Sequence, residues 1–597
     1  MRPVAQSLRL SYLLPMRTFG LLCCIILGVY CGPRPAGSSD PNPPPVWPNI
    51  VWIVAEDLSP LLPPFGDSTV ATPNLSRLAA RGIRYPNTFS VSGVCAPSRA
   101  AIVTGLYPTA IGAHHMRTQY NPAALAELGL QPYGAQLPDE ALLLPERLRM
   151  AGYFCTNNAK NDYQFEIPKT AWNENDQRAH YRHRPDPAQP FFSVFNLEIT
   201  HESQIWQTST AKLRFDADGF ERPEAPDYAW NDLLPAAARP PLDTTLHPPL
   251  PPYLVDAPRT RRDVQRVYGN IERMDRQVGV LLDQLEADGL LDKTIVFWYT
   301  DHGGPLPRQK RLLYDSGLRV PMIVAFPDGR GAGTVDSSLV SFVDLLPTVW
   351  SLAGIAAPDY LHGRAFLGPQ ATAPPREYVF AAADRLDGFY DRIRAARDGR
   401  YKYLRNYFPE KPYYLPVKYR EQMGAMQDLL DGHAAGTLNA AQAQWFRVQK
   451  PREELFDTHA DPHELVNLAD NPAYAATLAR MRRACDGWLE RTGDLGALDE
   501  REMVKSWWQG DTMPRTVTPG RLGEITSHAP VGSGRRYGFA SATPGSHIAY
   551  RWKVADRDRP GWRVYTEPLL PRPGDTLVGV AQRIGYRESL PEEYPMR

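Results

Sequence analysis

The 597-residue sequence has no excess of charge of either sign, since 66 lysines and arginines balance 66 aspartates and glutamates. Proteins that bind nucleic acid or a membrane surface electrostatically usually carry a basic excess or a basic run. The balance argues against both classes, and no nucleic-acid partner is expected. The chain is longer than one hydrophobic core usually supports, which predicts two or three domains.

Cysteine is also scarce, with six residues, of which three lie before residue 32. The remaining three, Cys95, Cys155 and Cys485, are too few for a disulfide framework. If Cys95 is chemically modified, at most one disulfide, Cys155–Cys485, is possible. We expect these two cysteines to be unpaired, because Cys155 falls in an apparently buried strand.

An apolar run near the N-terminus, Phe19–Tyr30, is too short to span a bilayer, and it follows Arg2, Arg9 and Arg17. This pattern is typical of a secretory signal and predicts a signal peptide at residues 1–32. A proline-rich linker at 33–47 follows. We therefore expect a secreted or periplasmic protein with no stable membrane span. The alternative, a lipid anchor at Cys31, fits poorly because the preceding Tyr30 is large.

Four short apolar runs each lead to polar residues that can bind or catalyse. They are Asn49–Ala55 before Glu56 and Asp57, Gly152–Thr156 before Lys160, Phe191–Leu197 before His201, and Thr294–Thr300 before Asp301 and His302. Such runs are typical of buried parallel strands. Helical patterns at Pro73–Arg81 and Arg262–Leu290 separate them, which predicts an α/β sandwich with a mostly parallel sheet. Ligands bind beyond the carboxyl ends of such strands, so the polar residues indicate one site.

The segment Cys95-Ala-Pro-Ser-Arg99 continues as Ala100-Ala-Ile-Val-Thr-Gly105. Pro97 suits the first turn of a helix, where a missing N–H costs nothing. Cys95 is therefore predicted to lie at a helix N-terminus, where free N–H groups and the helix dipole favour an anion. Arg99 adds a cation nearby. The structural alternative is a buried cysteine that packs as a small hydrophobe.

This segment resembles the C-x-P-S-R signature of type I sulfatases, which belong to the alkaline phosphatase-like superfamily. The resemblance extends over about residues 48–490. It includes Pro48-Asn-Ile-Val51, Thr72-Pro-Asn-Leu75, Asp301-His-Gly303, Lys310, Tyr314–Pro321, Glu454-Leu-Phe-Asp457, Asp461-Pro-His-Glu464 and Asn467-Leu468. The Ser90–Arg99 and Gly303–Lys310 segments are most similar to the heparan N-sulfatase branch.

The resemblance implies that a maturation enzyme oxidises Cys95 to formylglycine, whose hydrate is the nucleophile. It further implies an exported hydrolase of sulfate esters or sulfamates on a carbohydrate or glycosaminoglycan-type substrate. In that family one divalent cation, usually calcium, is held at the positions of Glu56, Asp57, Asp301 and His302. Magnesium and manganese stay open, because His302 adds a nitrogen to hard oxygen ligands.

The same resemblance implies that Arg99, Lys160 and Lys310 hold the sulfate group. His201 would protonate the leaving oxygen or nitrogen, a usual task of histidine. Asp301 is a candidate acceptor for the proton of the attacking hydrate.

The sequence departs from the family pattern at Lys160-Asn161-Asp162, where many sulfatases have a Lys-x-His pair. Asp162 is a candidate for binding a substrate hydroxyl or amine. His115, or its neighbour His114, is a candidate for the missing imidazole and for substrate binding. The alternative is that both are ordinary loop histidines.

Three domains are expected: a catalytic α/β domain at 48–380, a small α+β subdomain at 381–500, and a β module at 515–597. The subdomain pattern predicts a hairpin over Arg394–Leu404 with an Asp-Gly turn, and a closing helix at Pro472–Arg491. Alternating segments after residue 545 resemble a small appended β-sandwich, with either a packing or a carbohydrate-contacting role.

Two other functions stay open on the sequence. One is a phosphate or phosphonate monoester hydrolase on the same fold with the same nucleophile. The other is a non-catalytic glycan-binding protein in which Cys95 is unmodified.

Overall fold

The structure is a computed structural model that describes residues 47–119, 122–206, 243–508, 510, 512–525, 536–553, 561–571 and 574–595. The predicted signal peptide at 1–32 and all but the last residue of the predicted linker lie outside these ranges. Among the described residues, no helix combines the length and apolar character needed to cross a membrane.

The central sheet contains eight of the described strands. They are β1 Asn49–Ala55, β2 Gly82–Phe89, β3 Phe154–Asn158, β4 Glu174–Asn175, β5 Phe191–Leu197, β6 Thr294–Thr300, β7 Arg319–Ala325 and β8 Val340–Ser341. Their order across the sheet is β4-β3-β5-β1-β6-β7-β2-β8. Only β7, among these strands, runs antiparallel to its neighbours β6 and β2. The predicted mostly parallel α/β sheet is confirmed.

Both faces of this sheet are covered, as the nearly continuous apolar runs predicted. In β1, Ile50, Trp52 and Val54 pack into one buried hydrophobic cluster, whereas Val51, Ile53 and Ala55 pack into the other. The four strands predicted from the sequence are the adjacent strands β3, β5, β1 and β6, although β3 begins two residues later than predicted. Their carboxyl ends therefore meet at one edge.

The helices pack on both sides of the sheet and around the C-terminal region. They are α1 Pro73–Arg81, α2 Cys95–Thr104, α3 Pro108–Ile111, α4 Pro122–Glu127, α5 Leu144–Met150, α6 Ser203–Trp206, α7 Pro258–Ala287, α8 Asp315–Leu318, α9 Leu345–Leu352, α10 Lys418–Glu421, α11 Gly424–Ala434, α12 Ala440–Ala443, α13 Ala475–Thr492 and α14 Glu500–Trp508. The long predicted helix is α7, which starts and ends a few residues earlier than predicted. Helix α2 begins at Cys95, as predicted.

Antiparallel sheets follow the central sheet along the chain. The first contains β9 Val379–Ala383, β10 Ile393–Arg397, β11 Tyr401–Asn406 and β12 Glu453–Asp457. The predicted hairpin is β10–β11, and Asp398 accepts hydrogen bonds from the N–H groups of Arg400 and Tyr401 in its turn. Helix α13 packs on this sheet and matches the predicted closing helix.

The last strands form two further antiparallel sheets. They are β13 Gly520–Ile525 with β14 Arg536–Ala540, and β15 His547–Lys553, β16 Arg563–Val564, β17 Thr576–Gln582 and β18 Glu592–Pro595. Their shared core contains Tyr537, Phe539, Tyr550, Leu577 and Tyr594. The prediction of strands in this region is confirmed. The three described cysteines are buried and free, so the expected absence of a Cys155–Cys485 disulfide is also confirmed.

Candidate functional site

Strand pairing brings the two acidic motifs together. Strands β1 and β6 are parallel neighbours with Ala55 opposite Thr300, so the residues that follow each strand emerge side by side. The N–H of Asp57 donates to Oδ1 of Asp301 at 3.1 Å. Asp57 itself has a φ of 48°, a left-handed conformation that is uncommon for a residue other than glycine.

The ring of His302 is oriented toward these carboxylates. Its Nδ1 donates to the carbonyl oxygen of Gly303 at 3.0 Å, which leaves Nε2 facing the site. Nε2 lies 2.9 Å from Oδ1 of Asp57 and 3.5 Å from Sγ of Cys95. A lone pair and a carboxylate oxygen this close repel each other unless a proton or a metal ion lies between them. A backbone acceptor on the far nitrogen is the usual support of a metal-binding histidine.

The donor set fits a divalent cation. Ligand atoms of Asp57, Cys95, Asp301 and His302 all lie within 4.8 Å of one another. Oδ1 of Asp57 and Oε1 of Glu56 are buried and accept no hydrogen bond. Buried carboxylates without a partner are costly, and a cation would remove that cost. Glu56 belongs to a second such group, with Asp57, Cys95 and His201. Carboxylates with an imidazole suit a hard cation such as calcium, with magnesium and manganese as alternatives.

Glu56 lies at the edge of this cluster, between the two cations Lys160 and Arg99. Its Oε2 accepts from Nζ of Lys160 at 3.3 Å, and its Oε1 is 3.5 Å from Nη2 of Arg99. Burial raises the pKa of Glu56 to about 7, although both neighbouring cations oppose that shift. A bound divalent cation would favour the ionised form.

Cys95 begins helix α2 and is 2% exposed. Burial raises the pKa of its thiol well above the ordinary value, so the unmodified side chain is held as a thiol rather than a thiolate. A thiol of this kind is a poor nucleophile. The surroundings of Cys95 therefore do not activate the unmodified thiol as a nucleophile.

Arg99 lies one turn further along α2 and holds the side chain of Asp301 in place. Its Nε donates to Oδ2 of Asp301 at 3.0 Å, and its Nη1 donates to Oδ1 of Asn196 at 2.6 Å. The carbonyl oxygen of Asp301 also accepts from Oγ of Ser98. These contacts fix Asp301 against the helix that begins with Cys95.

Two lysines approach the cluster from different segments. Nζ of Lys310 donates to Oδ2 of Asp57 at 2.6 Å and lies 3.1 Å from Oε1 of Glu202. Burial lowers the pKa of Lys310, but the neighbouring acidic groups, Asp57 first and then others such as Glu202, together outweigh burial and raise it. Lys160 lies between Glu56 and Asp162, and the neighbouring acidic groups, led by these two, together raise its pKa well above normal against the effect of burial. Both lysines are therefore cations at neutral pH.

His201 faces the same lysine. Nζ of Lys310 lies 3.3 Å from Nε2 of His201, and Nδ1 of the ring lies 2.9 Å from Oγ and 3.3 Å from the backbone N–H of Ser203. Burial and the charge of Lys310 lower the pKa of His201 to about 3. In this arrangement the ring is neutral and the shared proton belongs to Lys310.

The structure separates the two predicted substrate-binding residues. Asp162 lies at the site, with Oδ2 at 3.2 Å from Nζ of Lys160 and its side chain 34% exposed. His115 is buried elsewhere, where its Nδ1 accepts from the N–H of Arg385 and its Nε2 faces Glu500 at 3.8 Å. Among the described residues, no contact of His115 reaches the carboxylate cluster. The structure therefore does not support the predicted substrate-binding role of His115.

Several groups at the site were not predicted from the sequence. Glu202 donates its N–H to Oδ2 of Asp57 at 2.8 Å, and both its carboxylate oxygens accept from Arg311 at 2.9 Å. Asn196 orients Arg99. Glu202 and Arg311 directly follow His201 and Lys310, so a search of the neighbours of each candidate would have found both.

Family models match most of the catalytic region. The model described as Sulfatase matches residues 48–175 and 155–355. The model described as N-sulphoglucosamine sulphohydrolase, C-terminal, matches residues 308–415.

Two curated relatives show the extent of the similarity. An ulvan-active sulfatase of Formosa agariphila is 46% identical over 561 residues, which cover 91% of both chains. The N-sulphoglucosamine sulphohydrolase of Homo sapiens is 25% identical over 506 residues, covering 79% of this chain and 94% of the relative.

Solved structures support the fold. A protein in complex with its substrate D-glucosamine-2-N,6-O-disulfate matches with a TM-score of 0.51 and 16% identity, over 76% of this chain and 100% of that chain. A 2-O GAG sulfatase matches with a TM-score of 0.52 and 19% identity, over 76% of this chain and 94% of that chain.

Proposed function

Since the chain belongs to the sulfatase family and is a sulfuric ester hydrolase, we propose that it is an exported enzyme that removes sulfate groups from a polysaccharide. Ulvan is the first substrate to test, because a relative that is 46% identical over 91% of both chains is described as ulvan-active. A sulfamate is the second, because N-sulphoglucosamine sulphohydrolase is also a relative.

One observation carries this proposal. Cys95 is buried at the N-terminus of α2, and its Sγ faces a cluster of carboxylates, His302 and Lys310. A helix N-terminus together with buried cations suits a sulfate group. Burial raises the pKa of the thiol and disfavours a thiolate. We propose that a maturation enzyme converts Cys95 to formylglycine.

Glu56, Asp57, Asp301 and His302 would hold the divalent cation, for which we favour calcium. When bound, that cation would supply positive charge to offset the oxygens of the sulfate. Formylglycine at position 95 would supply a nucleophilic hydroxyl group. Sulfuryl transfer, like phosphoryl transfer, asks the protein mainly for positioning and charge stabilisation.

The remaining roles belong to this chain's own side chains. Lys160 and Lys310 would bind the sulfate oxygens. Arg99 would fix Asp301, which is placed to accept the proton of the nucleophile. His201 would act as the general acid after Nε2 takes up a proton from solvent, in place of the hydrogen bond from Lys310 at 3.3 Å, and would then pass that proton to the leaving oxygen. Asp162 would bind a hydroxyl or amine of the substrate.

We also propose the domain division given by the sequence: residues 48–380 for catalysis, 381–500 as a subdomain and 515–597 as a terminal module. A signal peptide at 1–32 would direct export. In the described structure the terminal module packs on the catalytic region, which favours a packing role.

The test combines mass and activity. The peptide that contains Cys95 should show the mass change for replacement of CH₂SH by CHO, and Cys95→Ala should fold but release no sulfate from ulvan oligosaccharides. An unmodified cysteine together with saccharide binding would favour the glycan-binding alternative. Faster hydrolysis of an aryl phosphate than of the matching aryl sulfate would favour the phosphate monoester hydrolase.

A further inference from the structure

A chain of ion pairs leads from the sulfate site toward the surface. Lys310 pairs with Glu202 at 3.1 Å, Glu202 with Arg311 at 2.9 Å, Arg311 with Asp387 at 2.6 Å, and Asp387 with Arg117 at 3.2 Å. The exposed fraction of these side chains rises along the chain, from 2% for Lys310 to 39% for Arg117. Three cations and two anions alternate, and the end that reaches solvent is a cation.

The backbone holds three members of this chain in a disfavoured conformation. Arg117, Arg311 and Asp387 have φ angles of 60°, 75° and 60°, in the left-handed region that residues other than glycine rarely adopt. Such residues persist where the surrounding structure requires them, and they are frequent at functional sites. The fold therefore fixes these charges against their local preference.

Arg117 keeps donors free. Its Nε donates to Oδ1 of Asp387, while the other oxygen of Asp387 is taken by Arg311. Among the described residues, neither Nη group of Arg117 has a hydrogen-bond partner. An arginine fork with free parallel N–H groups matches a carboxylate or sulfate in a bidentate way.

Arg117 lies on the same side of the site as Asp162. The loop that carries Arg117 is tied to the Asp162 segment, since Nε2 of Gln164 donates to the carbonyl oxygen of His115. Burial opposes ionisation of Asp162, yet Lys160, Arg99 and Arg117 together lower its pKa to about 2. Arg117 and Lys160 thus act on one carboxylate, and Lys160 also reaches Glu56 in the cluster.

Two aromatic rings lie beside the ion-pair chain. Trp206 ends helix α6, which follows His201, and its ring meets that of Tyr419 edge-on at 5.0 Å. Besides burial, the charges of Glu202, Lys310 and Arg117 all act on the pKa of the Tyr419 hydroxyl. Aromatic rings can pack on the apolar face of an acidic sugar while a neighbouring cation binds its anionic group.

We propose that Arg117 binds a second anionic group of a polyanionic saccharide, a carboxylate or another sulfate, while Lys160 and Lys310 hold the sulfate to be cleaved. This inference rests on the proposed function and narrows its substrate class to chains with a further acidic group close to the reacting sulfate. Because Asp387 already orients the guanidinium, little ordering is needed on binding.

The experiment measures binding in a Cys95→Ala background by isothermal titration. The probes are ulvan oligosaccharides in native form, the same oligosaccharides after chemical reduction of their carboxylates, and heparin oligosaccharides. We expect Arg117→Gln to weaken binding of a native oligosaccharide about tenfold or more, in line with a charge-assisted hydrogen bond. Arg117→Lys should recover part of the loss, since it keeps the charge but not the fork.

The matched control is Arg77→Gln. Arg77 is 42% exposed and pairs with Asp283 at 2.7 Å, on helices away from the site, so its loss should leave affinity unchanged. Inorganic sulfate, which has no second anionic group, tests for structural damage: its binding to the Arg117→Gln protein should match that of the parent.

The two sources of the anion give different results. If the group is a carboxylate, reduction should weaken binding to the parent and remove the effect of Arg117→Gln. If it is a second sulfate, reduction should change neither. Affinity of Arg117→Gln within twofold of the parent, an equal loss for inorganic sulfate, or no binding of either polyanion would overturn the inference.

Turnover is scored separately. Sulfate release by the matured protein tests the proposed function, whereas the titrations test Arg117 without turnover. Arg117-dependent binding with no sulfate release would therefore retain the subsite and reject the activity on that probe, and the reverse result would reject only the subsite.

Discussion

Asp57 shows how single residues at the site divide their work. One carboxylate oxygen accepts from Lys310 and from the N–H of Glu202, while the other faces Nε2 of His302 at 2.9 Å without a donor. Burial opposes ionisation, but the charge of Lys310 above all holds its pKa well below the ordinary value. Asp57 is therefore ionised, and a bound cation would give its second carboxylate oxygen a partner.

Removal of the metal should abolish activity. Chelation is expected to inactivate the enzyme and calcium to restore it, because Oδ1 of Asp57 and Oε1 of Glu56 are buried without a hydrogen-bond partner and a cation would fill that gap. Asp57→Ala and Asp301→Ala should each lose the bound metal. The exposed acid Asp283 provides a control, since Asp283→Ala should keep a full metal equivalent. Elemental analysis that finds a full equivalent in Asp301→Ala would show that the ligand set is wrong.

Loss of His201 should depend on the leaving group. A phenolate leaves without a proton but a sugar alkoxide does not, so His201→Ala should slow hydrolysis of sugar sulfates about 10²–10⁴-fold more than hydrolysis of an aryl sulfate. Comparison of kcat/KM for the two substrates measures this. Ser203→Ala removes only the Nδ1 partner and should have a smaller effect. Equal losses on both substrates would instead assign His201 to positioning.

At the scale of elements, the site depends on two loops that lie against each other. The N–H of Arg311 donates to the carbonyl oxygen of Gly93 at 2.8 Å, which joins the Lys310 loop to the segment before Cys95. A Cβ on Gly93 would lie 2.5 Å from the carbonyl oxygen of Leu312. Only glycine allows these two backbones to approach so closely.

Gly93→Ala should therefore separate Lys310 from the nucleophile position. We expect kcat/KM to fall at least tenfold and the free energy of unfolding to fall by about 1–3 kcal/mol. Gly269→Ala is a matched control, because no atom lies within 4 Å of a Cβ built there, and in helix α7 it should be neutral or slightly stabilising. Unchanged activity in Gly93→Ala would show that the loops adjust without cost.

The sequence predicts elements with a strong local signal. Strands β1, β5 and β6 are apolar runs of seven residues bounded by polar motifs. A short stretch of sequence is therefore enough to identify each of them. The antiparallel direction of β7 and the edge strand β8 depend on long-range pairing, which no local pattern encodes. The same difference applies to the site. Glu56 and Asp301 directly follow predicted strands, whereas Asp387 lies in a loop that only the folded chain brings close to them.

At the scale of the whole molecule, the C-terminal strands pack on the segment between Tyr133 and Thr170. Nε2 of Gln136 donates to the carbonyl oxygen of Gly585 at 3.1 Å, and Lys169 pairs with Glu588. Helix α14 adds Glu500, which accepts from the hydroxyl of Tyr133 at 2.6 Å. This segment in turn contacts the Arg117 loop, because the N–H of Tyr133 donates to the carbonyl oxygen of Thr118. The C-terminal strands therefore contact the segment that in turn contacts the Arg117 loop.

One contact between the module and the catalytic region depends on pH. Nδ1 of His547 lies 3.0 Å from Oε1 of Glu146, which also receives the N–H of Leu143 on its other oxygen. Burial alone would lower the pKa of His547, but Glu146 outweighs burial and raises it above 6.5. Burial likewise opposes ionisation of Glu146, yet His547 and Thr170 hold its pKa below 4.5.

The sign of the pH dependence follows from these two directions. Because the pKa of His547 is raised on folding, His547 stabilises the folded protein below pH 6.5, and this stabilisation is lost as the pH rises through the pKa of the folded state. The lowered pKa of Glu146 stabilises it above pH 4.5 and is lost as pH falls. The contact therefore contributes fully between these two values and weakens on both sides.

His547→Gln should remove this contribution. Because a hydrogen bond to a charged group is worth about 1.5–3 kcal/mol, the variant should lose about 1–2 kcal/mol of stability at about pH 5.5 and clearly less at about pH 8.5, measured by urea unfolding. Lys553→Gln breaks the exposed Lys553–Glu593 pair within the module and should show the same small effect at both pH values. A loss for His547→Gln that is equal at both pH values, or larger at the higher one, would mean that His547 stabilises the module through packing rather than charge.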